Sequence, residues 1–237
     1  IESRQATIAE LTNFHDVGYV QSLISAETSA PSEADKVRYN IGKNGNPIFP
    51  EMFRRPATAC GGGLMAAALL MSGKVDCIFN IAGGQHHGLA GKASGFCYLN
   101  EPVLTIQNLL ERGAQRVFYL DVDAHFGDGT QLAFKEESRV FTLSIHEYGR
   151  WPQNRNLKPG DLGSIEDRAG GEARNLPVHK GLNDTEFNYL FDTVVLPLMS
   201  CFSPDVIYLQ CGADALADDP QSKLELSNQA LWRVVEQ

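Results

Sequence analysis

The residues best suited to chemistry fall in the stretch 116–128, RVFYLDVDAHFGD. Val117–Leu120 is an apolar run of the kind that fills a strand buried on both faces of a parallel sheet. The chain then turns polar at Asp121, Asp123, His125 and Asp128, broken by Gly127 and Gly129. While the backbone stays extended, Asp121, Asp123 and His125 project to the same side. Two carboxylates and an imidazole converging at the end of a buried strand are costly to leave uncompensated, and a divalent metal satisfies them most simply. The plainer alternative is an acidic turn with a capping aspartate.

Asp214, in QCGAD, contributes a carboxylate from the end of another apolar strand, Val206–Leu209. Asp123, His125 and Asp214 make a one-imidazole, two-carboxylate set; three protein ligands leave room for water and substrate, the mark of a catalytic metal site. Without thiolates, this N/O set suits Zn²⁺ or Fe²⁺ rather than a structural zinc. Water activated at such a centre needs a general base. His86 and His87, in GGQHH, supply two candidates, and Asp121 and Asp128 are left over to orient them, which suggests two His–Asp pairs.

Strands alternate with helices along the chain, which predicts an α/β fold with a mainly parallel sheet. Helical spacing runs over 4–28, where His15 falls on a mostly polar surface as a surface or capping residue. A loop is expected over 30–56, a helix over Thr58–Ser72 and a first strand over Val75–Ala82. The glycines in TACGGG do not complete a phosphate loop, because Val75 follows Lys74; close helix packing accounts for them better. A glycine-rich loop follows over Gly88–Phe96 and a helix over Pro102–Leu110. Next come the 116–120 strand, a short helix at Gln131–Phe134, a strand at Val140–Ile145 and a second long loop over 148–173. A helix capped by Asn183 and Glu186 runs to about Ser200, and a last one starts near Ser227. His86–His87, Asp121–Asp128, His146 and Asp214 all lie just past predicted strand ends, the edge where ligands bind in open α/β sheets.

With 237 residues, 43% of them hydrophobic, the chain can bury one large core and reads as a single domain. A net charge of −9 argues against direct nucleic-acid binding of the ordinary basic kind, while leaving a cationic amine as a ligand. Cys60, Cys77, Cys97, Cys201 and Cys211 form no CxxC pair and suit reduced, mostly buried thiols, hence a cytoplasmic setting; no membrane span or signal segment is evident. A homo-oligomer is compatible with the sequence. The chain begins at Ile1 and stops inside a helical pattern, so it reads as incomplete at both ends.

GGQHHGLAGKASGFCYLNE, YLDVDAHFGDGTQ and QCGADALADDP, in this order and at this spacing, resemble the zinc-dependent histone deacetylase family, nearest its bacterial members related to acetoin utilization proteins. The match runs from about Ala57 to Asn228. It implies an arginase-like three-layer α/β fold, its mainly parallel central sheet flanked by helices, and hydrolysis of an N-acetyl amide, typically acetyl-lysine. By position, Asp123, His125 and Asp214 would hold the metal. His87, paired with Asp128, would be general base and then acid; His86, paired with Asp121, would act largely through electrostatics. Gly95 and Phe96 match one wall of an acyl-lysine tunnel and Trp151 the facing aromatic. Asp121, Asp123, His125, Ser144 and Ile145 would surround a structural potassium ion.

Departures from the family pattern are specific. No GGGxY, the motif carrying the transition-state tyrosine, follows Asp214, and Tyr119, Tyr148, Tyr189 and Tyr208 stand in the wrong context to replace it. Phe126 stands where many members have a second histidine, and Gln85 where many have an aromatic. The resemblance implies a deacetylase of protein or peptide lysine; small acetylated amines such as acetylpolyamines are the alternative substrates. A weakly catalytic acyl-lysine binding module follows if the tyrosine motif is truly absent. An arginase-type ureohydrolase is disfavoured, because Ala215 and Leu216 follow Asp214 where a second carboxylate would be needed.

Overall fold

The computed structural model describes residues 1–237, which form two compact units, Ile1–Ala114 and Gln115–Gln237. The first unit is helical. It contains α1 (Ile8–Leu11), α2 (Val17–Ala26), α3 (Glu33–Tyr39), α4 (Arg54–Met71) and α5 (Glu101–Glu111). Its core gathers Leu11, Tyr19, Val20, Leu23, Ile41, Met52, Ala57 and Leu104. The helix expected over 4–28 is therefore two, since the chain breaks between Leu11 and Val17. A helix also forms inside the expected 30–56 loop: Ser32 Oγ accepts the Asp35 N–H as an N-cap, and Asn40 closes α3 in the left-handed conformation. In α4 the small residues are required by neighbours. A Cβ at Gly61 would strike the Arg4–Ala6 backbone, and one at Gly63 the side chains of Thr105 and Glu101.

The strand expected over Val75–Ala82 does not form. A strand exists only as a member of a ladder, and this segment joins none; Phe79 and Ile81 are exposed at 83% and 87%. Its apolar residues were a misleading signal.

The second unit is α/β. It contains β1 (Val117–Asp121), α6 (Asp128–Ala133), β2 (Val140–Glu147), β3 (Ala173–Val178), α7 (Asp184–Leu190), α8 (Leu196–Phe202), β4 (Val206–Gln210) and α9 (Asn228–Glu236). The sheet is wholly parallel in the order β3-β2-β1-β4, which bears out the expected α/β class. β1 and β2 are buried along their whole length. Phe118, Leu120, Phe141, Leu143 and Ile145 enter a core with Phe187, Phe191, Val195 and Phe202. β3 was hidden in sequence by Pro177, which removes a ladder donor and is tolerated because β3 is an edge strand. The Asn183–Glu186 capping box forms, and α7 passes through one π-helical segment, Phe191–Val195, before α8 with its Pro197.

Chain order and strand order together make the site. From β1 the chain moves outward to β2 and β3, then returns to place β4 on the other side of β1. The loops leaving β1 and β4 therefore emerge side by side at a topological switch point.

Candidate functional site

In the second unit, β1 ends at Asp121, earlier than the extended alternation expected through His125. The Asp121 carboxylate is consequently occupied within the fold. Its Oδ2 accepts the Tyr119 hydroxyl at 2.6 Å and its Oδ1 the Asp123 N–H at 3.1 Å. The bends over 123–125, rather than strand alternation, bring Asp123 and His125 together: Asp123 Oδ1 accepts the His125 N–H at 2.8 Å and lies 3.2 Å from its Nδ1.

Asp214 arrives from the short 3-10 turn Ala213–Ala215 after β4. Its Oδ2 lies 2.6 Å from His125 Nδ1, and its Oδ1 accepts the Ala124 N–H at 2.9 Å, which locks one loop onto the other. Ligand atoms of Asp123, His125 and Asp214 all lie within 4.8 Å of one another. Burial opposes charging of His125, but hydrogen bonds and charge from Asp123 and Asp214 prevail and raise its pKa to about 9. These carboxylates thus already draw positive charge to the point where they meet. Their mixed N/O donors fit a divalent cation of the Zn²⁺ or Fe²⁺ kind.

Gly212 is a residue that sequence reading missed. A Cβ there would collide with the Asp123 carboxylate and Cα, so the approach of the two loops requires glycine. Only the fold reveals this.

Trp151 follows β2, joined to Pro152 by a cis peptide bond, and its ring meets the His125 ring edge-on with centroids 6.5 Å apart. Asp128 opens α6 and is buried. Ser144 is the register partner of Asp121, with its Oγ 2.9 Å from His146 Nδ1, and Ile145 is buried in the core. His146 itself is fully buried, with Nε2 near the Gly163 carbonyl and the Gln153 amide, and serves the loop that follows β2.

In the first unit, His86 and His87 lie on a turn, both buried, with Nε2 atoms 2.9 Å apart. Gly95 and Phe96 both have positive φ, 52° and 63°. The Phe96 N–H donates to Asn46 Oδ1, and its ring projects outward, 67% exposed. His15, expected on the surface, is instead 2% exposed. Its Nδ1 donates to the Leu89 and Ala90 carbonyls and its Nε2 accepts the Asn100 N–H, so main-chain groups distant in sequence satisfy the buried ring.

The histone deacetylase domain matches residues 1–237. The chain belongs to the histone deacetylase family. It is 36% identical to histone deacetylase RPD3 of Saccharomyces cerevisiae over 228 residues, 95% of this chain and 51% of that protein. It is also 36% identical to acetoin utilization protein AcuC of Staphylococcus aureus over 237 residues, 99% of this chain and 60% of that one. In structure it matches an HDAC homolog from Aquifex aeolicus with a TM-score of 0.89 and 36% identity, covering 100% of this chain and 63% of that one. An HDAC homolog complexed with SAHA matches with a TM-score of 0.90. The chain thus spans about half to two thirds of the length of these relatives. No helix of this deacetylase-family chain is long and apolar enough to cross a membrane.

Proposed function

We propose that this chain is part of a single catalytic domain that hydrolyses N-acetyl amides, with acetyl-lysine of proteins or peptides as its main substrate class. The observation that carries the reading is the Asp123–His125–Asp214 cluster at the switch point of a parallel sheet, in a member of the histone deacetylase family. Asp123, His125 and Asp214 would hold a divalent ion, Zn²⁺ or Fe²⁺, which would supply Lewis acidity toward the amide carbonyl and the attacking water.

The chain's own residues supply the rest. His87, which this reading pairs with Asp128, would take a proton from the attacking water. A C–O bond forms, the C–N bond breaks, the proton passes to the leaving amine and acetate remains. His86, its Nε2 2.9 Å from that of His87 and paired with Asp121 in this reading, would hold the water and the substrate carbonyl and act largely through electrostatics. Phe96, with its ring projected by a left-handed backbone at Gly95–Phe96, and Trp151, beside His125, each carry a flat apolar face of the kind that suits the methylene stem of a lysine. The reading also includes a structural potassium ion among Asp121, Asp123, His125, Ser144 and Ile145, supported by the pairing of buried Asp121 with Ser144 across β1 and β2. A cytoplasmic setting accords with five cysteines that form no disulfide, although only Cys60 and Cys97 are buried and Cys77, Cys201 and Cys211 are exposed, against the mostly buried thiols expected.

The test is release of amine from an acetyl-lysine peptide and from an acetylpolyamine, by zinc-loaded protein, with and without chelator. Chelator-sensitive turnover that favours the peptide is expected. Preference for the polyamine overturns the substrate class, and chelator-insensitive turnover overturns the metal reading.

A further inference from the structure

The His86–His87 turn is held by a set of side chains that lies entirely within the first unit. Asn100, fully buried, donates from Nδ2 to the His86 carbonyl at 3.2 Å and to the Gly88 carbonyl at 2.9 Å, the two carbonyls that flank His87. Its Oδ1 accepts the Val103 N–H at 3.0 Å and caps α5. Its own N–H donates to His15 Nε2 at 2.9 Å, and His15 Nδ1 in turn donates to the Leu89 and Ala90 carbonyls. Upstream, Gln85 Oε1 accepts the Tyr98 N–H at 3.0 Å, and Glu101 Oε2 accepts the Gly84 N–H at 3.1 Å. Gly84, Gln85, His86, Gly88, Leu89 and Ala90 are each tied to His15 or to the segment 98–101.

This density of side-chain donors exceeds what a helix cap needs. α5 uses one oxygen of Asn100; the two bonds to the turn constrain the backbone immediately before and after His87. An imidazole can be aimed only as well as its Cα is fixed, because χ1 and χ2 rotate about a main chain that must itself stay still.

We propose that Asn100, backed by His15, is a positioning residue that fixes the main chain of the His86–His87 turn and so sets the reach of both imidazoles. The proposal rests on the reading of His86–His87 as the acid–base pair. His15 completes the device from behind. Its Nε2 accepts a backbone proton while its Nδ1 gives one, which selects the neutral Nδ1–H tautomer and joins the far end of the turn to the start of α5.

Asn100→Asp separates aiming from folding. The carboxylate keeps the acceptor for the Val103 N–H and the size of the side chain but sets an acceptor against two carbonyls. In the zinc-loaded protein, kcat on an acetyl-lysine peptide should fall about 10²-fold with little change in KM. The ¹H–¹⁵N imidazole signals of His86 and His87 should move while those of exposed His179 stay, a readout that does not need turnover. His15→Gln, which retains one donor and one acceptor, should lose less than His15→Ala.

A folded Asn100→Asp protein with unmoved His86 and His87 signals, or with native kcat, overturns the proposal. If Asn100→Asp does not fold, unmoved His86 and His87 signals in His15→Ala overturn it equally. His87→Ala, run in parallel, tests the acid–base reading separately: native turnover in that variant removes the reading, whereas loss there with native Asn100→Asp removes only the positioning role.

Discussion

His125 shows how single side chains make the centre. Its Nδ1 lies between two carboxylate oxygens, from Asp123 on its own loop and from Asp214 on the neighbouring one, and removal of either leaves the set incomplete. Asp214→Ala should therefore abolish tight zinc binding in a metal titration of the folded protein, and unchanged affinity would remove Asp214 from the ligand set. Gly212→Ala tests the support rather than the ligand. The added methyl must displace Asp123, so zinc affinity should drop about 10–100-fold, the usual cost of disturbing the surroundings of a metal ligand. Asp123, His125 and Asp214 were legible in the sequence because few neutral reasons place two acids and a histidine past apolar runs. Gly212, Asn100 and His15 were not. Their importance lies in contacts such as the one between His15 and Asn100, which no local pattern encodes.

Elements position these side chains through strand order. β1 is buried on both faces, and Leu120 lies in the core three residues before Asp123, the first residue of the candidate ligand set. Leu120→Ala should cost about 3 kcal/mol in chemical denaturation, in the range for a leucine removed from a closed core. A loss of a few tenths would show that the core relaxes around the site. β1 and β2 were read correctly as buried strands; β4 was read correctly as a strand but not as a buried one, since it lies at the sheet edge with Ile207 half exposed. The two errors have a common cause, since periodicity reports burial and not pairing. Val75–Ala82 has the composition of a strand without a ladder, while β3 has a ladder despite Pro177 and two polar residues, Arg174 and Asn175. Helix α3 was missed because the Pro, Gly and Asn around it outweighed its cap at Ser32.

At the scale of the whole molecule, the matched histone deacetylase domain accounts for both motif-bearing segments, GGQHH in the first unit and the DVDAH and GAD motifs in the second. Acidification should reveal how much the first unit depends on a neutral His15. Burial lowers its pKa from 6.5 to about 4, against hydrogen bonds to the Ala90 and Leu89 carbonyls that raise it. The unfolded chain thus binds the proton more readily, so the stability due to His15 is full above about pH 6.5 and is lost as pH falls towards 4, to a limit of ~3 kcal/mol. Denaturation at pH 7 and at pH 4.5 should show a smaller acid loss in His15→Gln than in the native protein; equal losses would contradict the assignment. Metal analysis is the sharpest test of whether Asp123, His125 and Asp214 hold a catalytic cation. Native protein and Asp214→Ala would be dialysed against zinc and then buffer, and their bound zinc measured. A single retained ion per native chain and none in Asp214→Ala is the predicted result; equal zinc in both, or none in the native chain, would contradict it.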